Sequence, residues 1–141
     1  MILEFTGTTK WAKGLKEIDE YKGVGRWKCQ LYLTDESFKK LKTTGVPLKV
    51  REDDDGKYVV FKRPQQIKVK DDIIELEPPR VFDSDGKPFD DNIFIGNGST
   101  LTVKVMIYDT PLGKAHRLEK VRVDNLIEYV PSTFPENDDE F

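Results

Sequence analysis

The chain has 141 residues, 37% hydrophobic and 35% charged, with a formal net charge of −3, which fits one domain with a modest core under a highly charged surface. No run approaches the ~18 apolar residues of a membrane helix, and the opening MILEFTGTTK lacks the layout of a signal peptide. One cysteine, Cys29, excludes an intrachain disulfide, and Cys29 with the one histidine, His116, supplies neither a four-ligand zinc site nor a convincing nucleophile–base pair. No metal or cofactor is therefore expected, and the setting is expected to be reducing and cytoplasmic.

Residues 2–8, ILEFTGT, read as a short first strand. Residues 9–26 are rich in glycine and lysine, with Trp11 and Tyr21 inserted, and are expected as a long loop with a helical turn around 15–20. Residues 27–33 alternate clearly. Trp27, Cys29, Leu31 and Leu33 share one face and Lys28, Gln30 and Tyr32 the other, the mark of a half-buried strand. Thr34 or Asp35 then caps a helix with Phe38 and Leu41 on one face, lysines in its last turns and Gly45 just past its end. The runs 48–51 and 57–63 flank EDDDG and are expected as a hairpin. Pro64 ends its second strand.

QIKVK offers a further strand and RVF a short one, each followed by turn residues. IGNGS (95–99) is expected as a tight hairpin turn, because neither a GxGxxG spacing nor a Lys-Ser/Thr phosphate loop is present. Residues 100–108 alternate again, with Leu101, Val103, Val105 and Ile107 inward. Residues 116–123 pair back on them, and the spacing of Leu118, Val121 and Val123 breaks alternation, which predicts a bulge. Residues 125–130 close the domain. The fold class is therefore mainly β: a five-stranded OB-fold barrel with one short helix and extra hairpin strands, although other small barrels share the pattern. The domain spans 1–130 and a flexible acidic tail spans 131–141.

Charge is unevenly distributed. Residues 1–51 hold eleven bases against six acids, whereas the tail PSTFPENDDEF holds four acids and no base. The tail buries too little apolar surface to order itself, and Phe141 beside its own carboxylate suits a partner with an apolar pocket and a basic rim. A plain solubility tail is the bland alternative. On the strands, bases alternate with aromatics: Lys28 and Tyr32, then Lys49 and Arg51, then Tyr58 and Lys62 on one face with Phe61 and Arg63 on the other, then Lys104. Lys10 and Lys13 flank Trp11. Cations for phosphates and flat rings for bases are what a single-stranded nucleic acid requires. Strands also favour aromatics for their core, so any one ring can be core instead. The aspartate groups 53–55, 71–72, 83–85 and 90–91 sit where turns are expected, and Asp-Gly is ordinary turn chemistry. DSDG starts like a calcium loop but lacks the acid at position 12, where Phe94 stands.

The motifs KWAKGL (10–15), RWKCQLYL (26–33), DDGKYVVFKRP (54–64), PRVFDSDGKP (79–88), IGNGSTLTVKVMIY (95–108), VRVDNLIEYV (121–130) and NDDEF (137–141), in this order, resemble the single-stranded DNA-binding proteins of tailed bacteriophages. The resemblance covers nearly the whole chain; IGNGS before an alternating strand, together with the DDEF end, is its most specific part. It implies an OB-fold that binds single-stranded DNA without strong sequence preference, in phage DNA replication, recombination and repair, in the cytoplasm of a bacterial host. It also implies that the tail (Glu136, Asp138, Asp139, Glu140, Phe141) competes with DNA and recruits replication proteins such as a DNA polymerase or helicase. The expected DNA site comprises the phosphate-tracking bases Lys10, Lys13, Lys28, Lys49, Arg51, Lys62, Arg63 and Lys104 and the stacking rings Trp11, Tyr32, Tyr58 and Phe61. No enzymatic activity and no membrane partner are expected; a homodimer is a possible assembly. Two rivals are a protein-interaction module or inhibitor with no DNA role, and a nuclease that binds metal through the aspartate clusters.

Overall fold

The computed structural model describes residues 1–21 and 23–129. Residue 22 and residues 130–141 lie outside it, and with them the tail residues Glu136, Asp138, Asp139, Glu140 and Phe141. The strands are β1 (Ile2–Lys10), β2 (Asp19–Tyr21), β3 (Val24–Leu33), β4 (Arg51–Asp53), β5 (Gly56–Pro64), β6 (Gln66–Val69), β7 (Asp72–Glu75), β8 (Arg80–Phe82), β9 (Thr100–Thr110) and β10 (Gly113–Asn125). One α-helix, α1, spans Asp35–Thr44, and a 3-10 turn spans Ala12–Leu15.

The main sheet runs β4-β5-β3-β1-β9-β10-β8, with β2 added on β3, while β6 and β7 form a separate hairpin. Alternation decides what it buries. Trp27, Cys29, Leu31 and Leu33 of β3 point inward, as do Leu101, Val103, Val105 and Ile107 of β9. Between them Phe5 of β1 and Phe61 of β5 stack with ring centroids 5.4 Å apart. Each such side chain, fully buried, contributes about 1.5–3 kcal/mol. Burial also pushes the Cys29 thiol up to about 12.

The sheet curls, but its backbone ladder does not close on itself. The two ends meet where β5 passes β10, and side chains make the seam. The Lys62 backbone N–H donates to His116 Nε2 at 3.0 Å, and Arg63 Nη1 donates to the Leu118 carbonyl at 3.1 Å. The imidazole bridges β10 to the β5 backbone where no ladder pairs the two strands. The expected barrel is thus a curled OB-type sheet with a side-chain seam. β10 shows the expected irregularity twice, between Leu118 and Lys120 and between Val123 and Asn125.

The helix follows its sequence signals. Thr34 is the N-cap and accepts from the Ser37 N–H at 3.2 Å, and Gly45 ends the helix at φ 75°. Among the described residues no helix is long and apolar enough to cross a membrane.

Three expectations need correction. Residues 9–26 are not one loop: β1 runs on to Lys10, the 3-10 turn follows, and β2 pairs with an earlier start of β3. The first strand of the β4–β5 hairpin is Arg51–Asp53 rather than 48–51, because the ladder starts only where Arg51 meets Tyr58. IGNGS is not a hairpin turn. It is a clasp between the end of β1 and the segment after β10: Gly98 N–H donates to the Thr9 carbonyl, Gly96 N–H to the Ile127 carbonyl, and Ile127 N–H to the buried Ser99 Oγ.

Candidate nucleic-acid interface

What points inward on β3 and β5 fixes what points outward. Lys28 and Gln30 stand on the outer face of β3, and Tyr58, Val60 and Lys62 on that of β5. The register pairs Lys28 with Lys62 directly, and Gln30 with Val60. Like charges opposite one another destabilise a sheet, so this pairing needs a reason. Lys62 bears the strain: burial first, then Arg26, Arg51 and Lys28, hold its ammonium below the usual lysine range. Asp19 relieves part of the crowding, lying 3.2 Å from Lys28 Nζ and 3.6 Å from the Arg26 guanidinium.

These side chains line a groove of about 590 Å³ together with Trp11, Lys13, Lys49 and Arg51. Six bases face it (Lys13, Arg26, Lys28, Lys49, Arg51 and Lys62) against two acids, Glu17 and Asp19. Gly14 of the 3-10 turn packs this wall tightly, since a Cβ there would lie 2.8 Å from the Lys28 carbonyl oxygen.

Trp11 marks one limit of the groove. Its side chain is 61% exposed, and its backbone is left-handed, at φ 59° and ψ 45°. For a bulky residue that costs about 1–2 kcal/mol, and the IGNGS clasp holds it there: the Trp11 N–H donates to Asn97 Oδ1 at 3.0 Å. An exposed tryptophan held at a strained backbone position is a candidate ligand contact.

Seven of the twelve residues expected to bind DNA therefore share one groove: Trp11, Lys13, Lys28, Lys49, Arg51, Tyr58 and Lys62. Five do not line it. Lys10 and Tyr32 are engaged beside the β4–β5 turn, where Lys10 pairs with Asp55 and Asp53 and the Tyr32 hydroxyl donates to Asp53. The hydrogen bond to Asp55 is the main cause that raises the Lys10 pKa. The Tyr32 ring still leans on Tyr58, with centroids 5.2 Å apart. Phe61 is a correction: fully buried against Phe5, it has no face left for a base. Arg63 is another, since its guanidinium is committed to the seam through Glu119 at 3.2 Å and the carbonyls of Leu118 and Glu77. Lys104 faces a separate cleft of about 240 Å³ with Lys120 and Arg122, 3.9 Å from Glu4.

Arg26 was missed because it fell in the supposed loop; extending the alternation of Lys28 one step back finds it. The aspartates behave as turn formers. Asp53 Oδ1 accepts from the Asp55 N–H, Asp83 Oδ1 from Asp85 and Lys87, and Asp90 Oδ1 from Asn92. Among the described residues no three acidic, cysteine or histidine side chains converge as metal ligands.

A mainly antiparallel OB-type sheet with one parallel pair, β8 on β10, curled around one core, with a cationic groove and an exposed ring on its outer face, defines the class of fold. Solved structures of similar fold include phage single-stranded DNA-binding proteins. The gp2.5 single-stranded DNA-binding protein of bacteriophage T7 superposes with a TM-score of 0.59 at 21% identity, over 99% of this chain and 94% of its own. The single-stranded DNA-binding protein of bacteriophage Enc34, in its complex with ssDNA, gives 0.56 at 12% identity over 92% and 89%. No protein-family model matches the chain, and no curated protein does.

Proposed function

We propose that this chain binds single-stranded DNA largely without sequence preference, in the groove over β3 and β5. The observation that carries this reading is the cation crowd. Lys62 faces Lys28 across the ladder, with Arg26 and Arg51 beside them, and their repulsion is relieved when phosphates enter. Trp11 and Tyr58 supply flat faces on which bases stack, worth about 1–3 kcal/mol per base. Stacking and phosphate contacts carry no base-edge code, which accounts for sequence tolerance. The likeness to a fold that carries ssDNA in the Enc34 complex supports the same ligand here.

The biological role proposed is phage DNA replication, recombination and repair in the bacterial host cytoplasm. The tail acids Glu136, Asp138, Asp139 and Glu140 compete with DNA for the cationic groove, and Phe141 offers an aromatic side chain to a replication polymerase or helicase. The nuclease rival loses ground because Asp53, Asp83 and Asp90 accept turn hydrogen bonds and, among the described residues, no acidic cluster converges as metal ligands.

Trp fluorescence titrated with a thymidine oligonucleotide across a salt series tests both halves. The parent chain is expected to bind, and to weaken as salt rises. A chain with Glu136→Gln, Asp138→Asn, Asp139→Asn and Glu140→Gln is expected to bind more tightly at low salt. Absence of binding at low salt would leave the protein-interaction rival as the better account, and unchanged affinity in the neutralised tail would remove the competition.

A further inference from the structure

Beside Trp11 lies a second cleft of about 450 Å³ that shares Trp11, Lys13 and Glu17 with the cationic groove. Its far wall is built by backbone pairing. Ile95 bridges to Glu128, and the Tyr129 N–H donates to the Phe94 carbonyl at 3.0 Å. That brings the rings of Phe94 and Tyr129 edge to face, with centroids 6.5 Å apart. Phe94 is 52% exposed and Tyr129 56%. Among the described residues the large exposed aromatics are Trp11, Phe94, Tyr108 and Tyr129, and three of these four line this one cleft. Folding ordinarily hides such rings; here the chain spends two long-range backbone contacts holding them in the open. Two bases, Lys13 and Lys16, and one acid, Glu17, also line it, and Lys16 pairs with Asp91 at 3.6 Å.

We propose that this three-ring cleft is a second nucleobase subsite, which takes the bases of the same single strand after it has crossed Trp11. The inference rests on the DNA-binding reading above. Two features select nucleic acid as the occupant. The cleft adjoins the cationic groove, with Trp11 and Lys13 lining both, so a strand bound in that groove has the cleft next to it. Rings beside sparse cations suit bases whose phosphates lie at the edge. The two sites differ in character: the first is rich in charge, the second in aromatic surface.

The test uses the full chain and thymidine oligonucleotides of increasing length. Phe94→Ala and Tyr129→Ala are expected to leave the shortest binding oligonucleotides unaffected and to weaken longer ones by about tenfold, the scale of one lost stack. The salt slope is expected to stay at the parent value, and Phe94→Trp is expected to restore the long-oligonucleotide affinity. Trp11→Ala is expected to weaken every length. Equal loss at all lengths in the Phe94 variant, or no loss at any, overturns the subsite while a Trp11 effect leaves the groove reading standing. Tighter binding at all lengths also overturns it and makes the chain's own tail the occupant. Should Trp11→Ala and Lys62→Met leave affinity unchanged as well, the groove over β3 and β5 fails as the site, whereas a parent chain that binds no oligonucleotide at low salt overturns the underlying DNA reading.

Discussion

At Lys62 stability and the proposed binding pull in opposite directions. Its ammonium is half-buried, pairs in register with Lys28 and lies near two arginines. Because its folded-state pKa is depressed, the unfolded chain binds more protons between that value and the lysine reference of 10.5. Stability therefore rises with pH through that window, and the full penalty is present at neutral pH. Lys62→Met is expected to raise the unfolding free energy by about 0.5 kcal/mol, the size of a relieved like-charge pair. The same substitution is expected to weaken DNA binding and reduce the salt slope by about 0.7. Denaturant melts and salt-dependent titrations of one preparation check both; loss of stability together with affinity would make Lys62 an ordinary structural residue. Trp11 and Phe61 show how far single residues can be read from sequence. Both are aromatic and near bases. Trp11 stands outside any alternating run, and it proves exposed. Phe61 lies on a strand with a ring on either face, and only the three-dimensional position of Phe5 decides that it belongs to the core.

At the scale of elements, alternation and capping were legible and the seam was not. The core faces of β3 and β9, the cap at Thr34, the stop at Gly45 and the bulge in β10 all follow from local spacing. The β5–β10 seam joins residues more than fifty positions apart through one imidazole and one guanidinium, which leave no period in the sequence. His116 is its titratable part. Burial first, and the Lys62 charge second, lower its pKa from 6.5 to about 4. Its Nε2 must stay unprotonated to accept the Lys62 N–H. The unfolded chain takes up the proton first as pH falls, so stability present above pH 6.5 is lost on the way down to about 4. That shift corresponds to about 3 kcal/mol. His116→Gln keeps an acceptor near the same position without the titration, and its acid-side stability loss is expected to shrink by a comparable amount. Equal acid sensitivity in the two proteins would remove His116 as the cause.

For the whole molecule, the sheet separates its two tasks by face. Inward residues of β1, β3, β5, β9 and β10 make one core, and outward residues of β3 and β5 make the groove. The sequence carried the charge of that groove but not its boundary. Lys104 alternates on its strand just as Lys28 does, yet the sheet order puts β1 between β9 and β3 and sends Lys104 to a different cleft. Strand order is set by long-range pairing, which residue spacing does not report. Phe94 and Tyr129 escaped for the same reason, since only the clasp at IGNGS brings them beside Trp11. The central claim is that one outer face, and not the basic cleft around Lys104 and Arg122, receives the strand. Backbone amide NMR shifts recorded as a thymidine oligonucleotide is added test it most directly. The account predicts the largest changes at Trp11, Lys13, Lys28, Arg51, Tyr58 and Lys62, with Lys104, Lys120 and Arg122 little moved. Changes concentrated at Lys104, Lys120 and Arg122, or none at all, would contradict it.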